Sequence, residues 1–377
     1  MKKALLLPDS FKGSLSSEKI CEIMSDSIKK FFPQCEVISV PVADGGEGSV
    51  DCFLTALCGE KIHIEAKDPY FVPMQSCYGL LPDGSAVVET AACAGLPLVE
   101  GKKNPALTTT YGVGQQIKHA LEGGCKKVIV GLGGSCTNDG GCGAAAALGV
   151  QFFDKNGKSF VPVGATLKDI VSIDISKRCS LLNHCEMIAM YDIDNPLCGK
   201  NGASAIFAPQ KGADEKMVAE LEDGLQHLTE IIKKDLDISV ESLAGGGAAG
   251  GIGAGLYAFC GAKLQSGIKT VLDTIAFESL LENADVVFTG EGKMDSQSLR
   301  GKVVIGISER AAAKGVPVIA VVGGADADLS EAYDRGVSAV FTTNRLPLDF
   351  SVARKFSEQN LAWTMDNILR LMKLSLH

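Results

Sequence analysis

The stretch KKVIVGLGGSCTNDGGCGAAAALG, residues 126–149, joins an apolar run to a glycine-rich polar loop and then to a run of small residues. The apolar run is typical of a strand that is buried on both faces. Two interpretations of the loop stay open. It is either a tight structural turn or a set of backbone N–H groups that binds an anion at a helix start. The order of strand, loop and helix predicts an α/β protein.

Both ends of the chain repeat this order. Apolar strand candidates alternate with segments whose apolar residues have helical spacing, and this alternation predicts a parallel sheet with helices on its faces. The strand candidates are KALLL (3–7), CEVISV (35–40), KIHIEA (61–66), ADVVFT (284–289), VPVIAVVGG (316–324) and SAVFTT (338–343).

The middle of the chain has a different pattern. SCYGLLPDGSAVVETA (76–91) alternates on both sides of Pro-Asp-Gly, which indicates a β-hairpin. We therefore predict two α/β domains. A Rossmann-like parallel-sheet domain is formed by residues 1–70 and 283–377, and a mixed α/β domain, residues 71–282, is inserted into it.

Composition excludes several classes of protein. The net charge of −9 argues against binding to nucleic acid or to an anionic membrane. The 13 cysteines form no C-x-x-C pair, so we expect free, mostly buried thiols in a reducing compartment. Residues 244–262 carry no charge, but their glycine and alanine content predicts a buried turn and a small-residue helix rather than a membrane span.

Five predicted strands end in loops that mix glycine with acidic, amide, hydroxyl or lysine side chains. Glycine lets a backbone approach a phosphate, but carboxylates in the same place would repel it unless a divalent cation intervenes. The combination points to magnesium-assisted phosphoryl transfer. The loops are PDSFKGSLS (8–16), PVADGGEGS (41–49), GLGGSCTNDGG (131–141), IDNPLCG (193–199) and GEGKMDSQSLRGK (290–302).

Two other functions stay open from the residues alone. The glycine-rich loops are compatible with a non-catalytic protein that binds an anionic small molecule. A G-x-G-x-x-G match at residues 245–250 is compatible with a dinucleotide-dependent oxidoreductase, although the strand candidate before it is weak.

Six motifs in order give the sequence a specific resemblance. PDSFKGSLSS, PVADGGEGSVD, GLGGSCTNDGG, DIDNPLCG, GGGAAGGIGAG and TGEGKMDSQSLRGKVV together resemble the bacterial glycerate kinases, over roughly the whole chain. The resemblance implies a cytoplasmic enzyme, a monomer or homodimer, that uses ATP and Mg²⁺ to phosphorylate D-glycerate at its 2- or 3-hydroxyl. It also implies that the active site lies in the cleft between the two α/β domains.

The resemblance also implies roles for residues in these motifs. Those expected to take part in catalysis are Asp9, Lys12 and Asp192, the last as the group that orients or deprotonates the attacking hydroxyl. Those expected to bind glycerate are Asp44, Glu47, Asn195 and Arg300. Those expected to bind ATP or its phosphates are Gly133, Gly134, Ser135, Thr137, Asn138 and Lys302. The expected metal ligands are Asp139, Glu291 and Asp295.

Overall fold

The computed structural model describes residues 1–42, 48–295, 298, 302–346 and 348–374. The chain divides into two compact units. The first, unit 1, contains Met1–Asp44 and Gly267–His377, and the second, unit 2, contains Gly45–Ser266.

The strands of both units are numbered in chain order. They are β1 (Lys3–Pro8), β2 (Glu36–Ser39), β3 (Glu60–Lys67), β4 (Pro73–Leu80), β5 (Ala86–Glu89), β6 (Lys127–Gly131), β7 (Gln151–Phe153), β8 (Ser159–Phe160), β9 (Ser172–Asp174), β10 (Glu186–Tyr191), β11 (Lys263–Ser266), β12 (Val286–Gly290), β13 (Lys293–Met294), β14 (Val318–Val322), β15 (Gly324–Ala325) and β16 (Val337–Thr342).

The α-helices follow the same order. They are α1 (Ser17–Phe31), α2 (Ser49–Leu57), α3 (Ala91–Ala94), α4 (Tyr111–Glu122), α5 (Cys142–Ala147), α6 (Ala203–Phe207), α7 (Glu215–Leu236), α8 (Ala248–Cys260), α9 (Gly267–Thr274), α10 (Phe277–Leu280), α11 (Val303–Ala312), α12 (Ser330–Asp334), α13 (Phe350–Ala353) and α14 (Ser357–Leu374).

Unit 1 is built on a five-stranded parallel sheet in the order β16-β14-β12-β1-β2. The interior strand β1 is buried because helices cover both faces of the sheet, as its apolar run predicts. On one face α1 and α14 pack together. The core there contains Leu6, Ile20, Met24, Leu361 and Met365.

Unit 2 contains a six-stranded mixed sheet in the order β11-β10-β6-β5-β4-β3. The first four strands are parallel, and β4 and β3 are antiparallel additions. The β4–β5 pair is the hairpin that the Pro-Asp-Gly turn predicts. A small antiparallel sheet, β8-β7-β9, completes the unit. The fold class is confirmed as α/β, with one parallel sheet in unit 1 and one mixed sheet in unit 2.

The units differ from the expected boundaries at two places. The sequence predicts residues 61–66 as a third strand of the parallel sheet, but β3 pairs along its whole length with β4 of unit 2. Alternation of apolar residues indicates a strand without naming its partner, and the antiparallel partner follows directly in the chain. Residues 267–282 belong to unit 1, where α9 packs against α11.

The cysteines and the uncharged segment agree with the sequence-based expectations. All 13 cysteines are free, and most of them are buried. Residues 244–262 form a turn followed by α8, with left-handed backbone at Ala249, Gly250 and Gly251 near the start of the helix. Within the described residues, every helix is too short or too polar to cross a membrane.

Candidate active site

A pocket of about 570 Å³ lies in unit 1, where loops follow the carboxyl ends of four parallel strands. β2 lies on one side of β1 and the remaining strands lie on the other, so the strand order reverses between β1 and β12. Open α/β sheets bind ligands at such a point. The polar residues that line the pocket are Asp9, Ser10, Lys12, Ser14, Glu291, Lys293, Asp295, Ser298, Lys302, Thr343, Asn344, Arg354, Ser357 and Asn360.

The loop after β1 brings a buried carboxylate and an exposed lysine to the pocket. Asp9 is 8% exposed, and one of its oxygens accepts a hydrogen bond of 2.6 Å from the backbone N–H of Ser10. Lys12 lies three residues later on the exposed part of the loop, before Gly13, which has left-handed backbone. Two of the expected catalytic residues, Asp9 and Lys12, therefore line the same pocket.

Glu291 follows β12 and has an unusual environment. Its Oε1 atom is buried and has no hydrogen-bond partner among the described residues. Burial raises the pKa of Glu291 to about 7, and the nearby carboxylates of Asp9 and Asp295 add to the rise. A hydrogen bond from Ser298 and the charge of Lys302 oppose it. A buried oxygen that lacks a partner beside two other carboxylates is a suitable position for a cation.

Close backbone contacts fix the loop that carries Glu291. A Cβ atom at Gly290 would lie 1.9 Å from the carbonyl oxygen of Val321 in β14, so only glycine is possible there. The N–H of Gly323 donates to the carbonyl of Glu291 at 3.1 Å, and β13 then pairs with β15. These contacts join the loop after β12 to the loop after β14.

Asp295 directly follows β13, and Lys302 lies at the start of α11. The N–H of Asp295 donates to the hydroxyl of Ser298 at 3.1 Å, and Lys302 is the N-cap residue of α11. Lys293 also lines the pocket, but its ammonium lies 3.0 Å from the carboxylate of Asp326. Asp44, Glu47 and Arg300, which the resemblance predicts to bind glycerate, lie outside the described residues.

The acidic part of the pocket fits a divalent cation that arrives with its own ligands. Among the described residues there is no group of three or more His, Cys, Asp or Glu placed to hold a metal ion by themselves. Mg²⁺ does not need such a cage, because it usually binds one or two carboxylates together with phosphate oxygens and water. The carboxylates of Asp9, Glu291 and Asp295 are suited to this role, and Lys12 and Lys302 can neutralise phosphate charge.

The loop after β6 in unit 2 carries residues that the resemblance predicts to bind phosphate or metal. Ser135, Thr137, Asn138 and Asp139 are 0–4% exposed, so their side chains point into the protein interior. Within this loop Gly134 is exposed and Gly133 is partly exposed. These observations favour the structural interpretation of the four side chains, and they leave the two glycines as the accessible part of the loop.

Asp139, expected to be a metal ligand, is occupied by protein donors. Its carboxylate accepts hydrogen bonds from the N–H of Thr110 at 2.8 Å, the Thr110 hydroxyl at 2.9 Å, the N–H of Gly141 at 3.0 Å and the N–H of Gly143 at 3.2 Å. Burial raises the pKa of Asp139, and these donors oppose the rise. The contacts support a structural role that joins this loop to the start of α4.

The glycines of this loop are explained by close packing against α8. A Cβ atom at Gly250 would lie 1.9 Å from the carbonyl oxygen of Thr137, and the N–H of Gly140 donates to the carbonyl of Gly250. The G-x-G-x-x-G match at 245–250 follows a segment of turns rather than a strand. The expected dinucleotide-binding geometry is therefore not formed there, because that geometry requires a strand before the glycines.

Asp192 and Asn195 follow β10 in unit 2. Asp192 is partly buried and comes directly after the strand. The side-chain amide of Asn195 donates to the carbonyl of Asn201 at 2.8 Å, and its own backbone carbonyl accepts from the N–H of Gly247. Asn195 therefore shapes its own loop, whereas Asp192 keeps the strand-end position that the sequence predicts.

Sequence reasoning missed Lys211, a buried lysine in the short 3₁₀ helix Pro209–Lys211. It is 2% exposed and donates to the hydroxyl of Ser135 at 2.9 Å and to the carbonyl of Thr137 at 2.7 Å. Burial lowers the pKa of Lys211 to about 8. A lone lysine in the polar stretch APQKGAD carries no sequence signal that separates it from a surface lysine.

The depressed pKa of Lys211 predicts a pH-dependent stability. Between pH 8 and 10.5 the unfolded chain holds a proton on this lysine that the folded chain has lost, so the free energy of unfolding increases with pH in this window. We expect a gain of roughly 2–3 kcal/mol relative to Lys211→Met, which has no such proton. Urea unfolding of both proteins from pH 7 to 11 measures it. If the free energy of unfolding changed with pH in the same way in both proteins, Lys211 would keep its proton in the folded state.

Nearly the whole chain matches one protein family. Residues 4–373 match the profile described as the glycerate kinase family. The chain belongs to this family. It is 41% identical over 375 residues to a glycerate kinase of Bacillus cereus, covering 99% of this chain and 98% of the relative. It is 42% identical over 342 residues to the glycerate 2-kinase of Escherichia coli K12, covering 90% of both chains.

A solved structure agrees with the same assignment. The crystal structure of a protein assigned as glycerate kinase 2 of Salmonella typhimurium LT2 superposes with a TM-score of 0.88 and 39% identity, covering 100% of this chain and 99% of that one. The resemblance drawn from the six motifs is thereby confirmed. This family member is an enzyme, and the two alternatives, a non-catalytic binding protein and an oxidoreductase, have no support.

Proposed function

We propose that this enzyme transfers the terminal phosphoryl group of ATP, bound as its magnesium complex, to the 2-hydroxyl of D-glycerate. The observation that carries the proposal is the set of three carboxylates, Asp9, Glu291 and Asp295, beside Lys12 and Lys302 in one pocket. The glycerate 2-kinase of Escherichia coli, 42% identical, supports the 2-hydroxyl as acceptor.

The charges of the pocket suit a magnesium-bound triphosphate. Carboxylates repel phosphate, whereas lysines attract it without a metal. A pocket that contains both types of side chain is explained if a cation binds the carboxylates and the phosphate together. In this proposal one or two of the carboxylates of Asp9, Glu291 and Asp295 would hold the cation, which would supply charge stabilisation to the transferring group. Lys12 and Lys302 contact phosphate oxygens directly.

We keep Asp192 as the candidate residue that acts on the acceptor hydroxyl. Asp192 follows β10 and has the chemistry to orient or accept the proton of the attacking hydroxyl. The partly exposed Gly133 and the exposed Gly134 keep their expected role as candidates for backbone contacts to phosphate oxygens. Asp44, Glu47 and Arg300 are kept as candidate glycerate ligands from the family motifs.

The Asp192→Asn variant is expected to lower kcat about 10²-fold or more, because an amide cannot accept the proton of the hydroxyl. The matched control is Asp194→Asn, since Asp194 is an exposed carboxylate two residues away in the same loop. Steady-state kinetics with D-glycerate and ATP measure both variants. Near-normal turnover by Asp192→Asn would remove Asp192 from the mechanism.

A coupled assay with ATP, MgCl₂ and D-glycerate tests the function itself. We expect ADP release that requires both magnesium and D-glycerate, and L-glycerate serves as the stereochemical control. Phosphorus NMR of the product then separates 2-phosphoglycerate from 3-phosphoglycerate. Absence of turnover with glycerate would refute the substrate, and a 3-phosphoglycerate product would refute only the assigned hydroxyl.

A further inference from the structure

The pocket in unit 1 has two walls. The acidic wall carries Asp9, Glu291 and Asp295, and the second wall has different chemistry. After β16 ends, residues of 343–346 and 348–356 line the pocket, and so does the first turn of α14, which packs on α1. The lining side chains of this segment include no carboxylate among the described residues. They are Thr343, Asn344, Phe350, Ala353, Arg354, Ser357 and Asn360.

Phe350 is the exposed aromatic side chain of this wall. It is 59% exposed, and most of the other residues that line the pocket are polar. Two of its ring carbons lie 3.5 Å from the position that a Cβ atom would take at Gly13, in the loop after β1. The ring therefore lies against the same loop that carries Asp9 and Lys12.

The backbone beneath Phe350 is held in place. Phe350 begins α13, and the N–H groups of Val352 and Ala353 both donate to the carbonyl of Asp349 at 2.9 Å. Ala353 is nearly buried, so one side of this turn is anchored while the aromatic ring stays accessible. An accessible, anchored ring can offer a flat apolar face to a planar ligand without large loss of side-chain freedom.

The size of the pocket indicates which substrate uses this wall. A volume of about 570 Å³ lies in the range of pockets that enclose drug-sized ligands, far larger than a three-carbon acid needs. Glycerate also has no planar apolar face to place against a phenyl ring. A nucleotide has both parts, a polyphosphate for the acidic and lysine-bearing wall and a planar base for the other.

We propose that Phe350 is the surface on which the adenine of ATP stacks. This inference rests on the proposed function, and it assigns the donor nucleotide to the pocket of unit 1 with its base toward α13. The side-chain amides of Asn344 and Asn360 line the same wall and can donate to and accept from the polar edge of the base.

The test distinguishes contacts to the adenine base from contacts to the phosphates. Loss of an aromatic surface under a base weakens binding about tenfold to a hundredfold, so Phe350→Ala should raise the Kd for ATP by that factor. Inorganic tripolyphosphate carries the phosphates without a base, and its Kd should change less than twofold. Isothermal titration calorimetry with each ligand in the presence of magnesium measures both constants.

Three further variants complete the test. Phe356→Ala removes the same side chain from the same segment, and Phe356 is 46% exposed but does not line the pocket, so ATP binding should not change. Phe350→Trp keeps an aromatic face and should retain ATP affinity within about threefold. Phe350→Leu keeps apolar bulk, and it should weaken ATP binding even if the alanine variant is unstable.

The possible outcomes are distinct. Unchanged ATP affinity in Phe350→Ala and Phe350→Leu would overturn the inference while leaving the kinase proposal intact. Equal weakening of ATP and tripolyphosphate would also overturn it, because the effect would then be general rather than specific to the base. Failure of the wild-type enzyme to phosphorylate glycerate, with ATP binding still dependent on Phe350, would refute the proposed acceptor and not the base site.

Discussion

The Glu291→Gln variant is expected to phosphorylate glycerate about 10³-fold more slowly than the wild type, and to unfold at a higher temperature at pH 8 without magnesium. The loss of rate follows because the amide cannot supply the negative charge that holds a cation against the phosphates, and removal of one such electrostatic group costs about 10²–10³-fold. The effect should persist at saturating ATP.

The gain in stability follows from the raised pKa of Glu291. The folded protein holds a proton on this carboxyl up to about pH 7, whereas the unfolded chain loses it near 4.5. The free energy of unfolding of the wild type therefore decreases as pH rises between these values, and the neutral glutamine avoids the decrease. We expect about 1–3 kcal/mol in favour of the variant above pH 7, or a few degrees in Tm.

Differential scanning calorimetry at pH 5 and pH 8, with and without magnesium and ATP, measures this difference. At pH 5 the two proteins should unfold at similar temperatures, and added MgATP should stabilise the wild type more than the variant. Glu309→Gln is the matched control, since Glu309 is on α11 of the same unit and pairs with Arg335 at the surface. A variant that loses both activity and stability would contradict the assignment of Glu291.

The Asp139→Ala variant is expected to lose about 3 kcal/mol or more of unfolding free energy. Truncation leaves the buried N–H groups of Thr110, Gly141 and Gly143 without an acceptor, and each unsatisfied group costs about 1–3 kcal/mol. Asp139→Asn should also destabilise, because its amide nitrogen would face donors. The expected loss concerns the fold of unit 2, with no specific change in the magnesium dependence of the folded enzyme.

Urea unfolding followed by circular dichroism measures the change in midpoint. The control is Asp174→Ala, because Asp174 is a solvent-exposed acceptor for Ser176 in the same unit and its loss should leave the midpoint almost unchanged. A stable Asp139→Ala protein whose activity no longer responds to magnesium would restore the metal-ligand role that the sequence suggests for this residue.

The sequence predicts the parallel sheet of unit 1 well because its interior strands β1, β12 and β14 are mostly buried apolar runs, and a loop and a helix follow each of them. It also predicts that the ends of β1 and β12 carry the polar side chains of a site, since Asp9 and Glu291 directly follow those strands. The pairing of β3 was missed because periodicity indicates a strand and says nothing of its neighbour.

The sequence could not separate a buried polar side chain from a ligand-binding one. Asp139 and Glu291 both follow buried strands among glycines. Five protein donors contact the carboxylate of Asp139, whereas Glu291 has a buried oxygen with no partner in the described part of the chain. That difference depends on Thr110, which is distant in the chain. Lys211 and Phe350 were missed for a similar reason, because only the folded structure brings each of them to a loop far away in sequence.

The division of unit 1 between the two chain ends affects the order in which the protein is made. β1 is an interior strand of its sheet, and it pairs with β12, which is synthesised about 280 residues later. β1 therefore cannot pair with β12 until all of unit 2 has been synthesised. Unit 2 is continuous and can fold during that interval. Nascent chains arrested before residue 286 should therefore protect unit 2 from protease while leaving residues 1–40 open to cleavage.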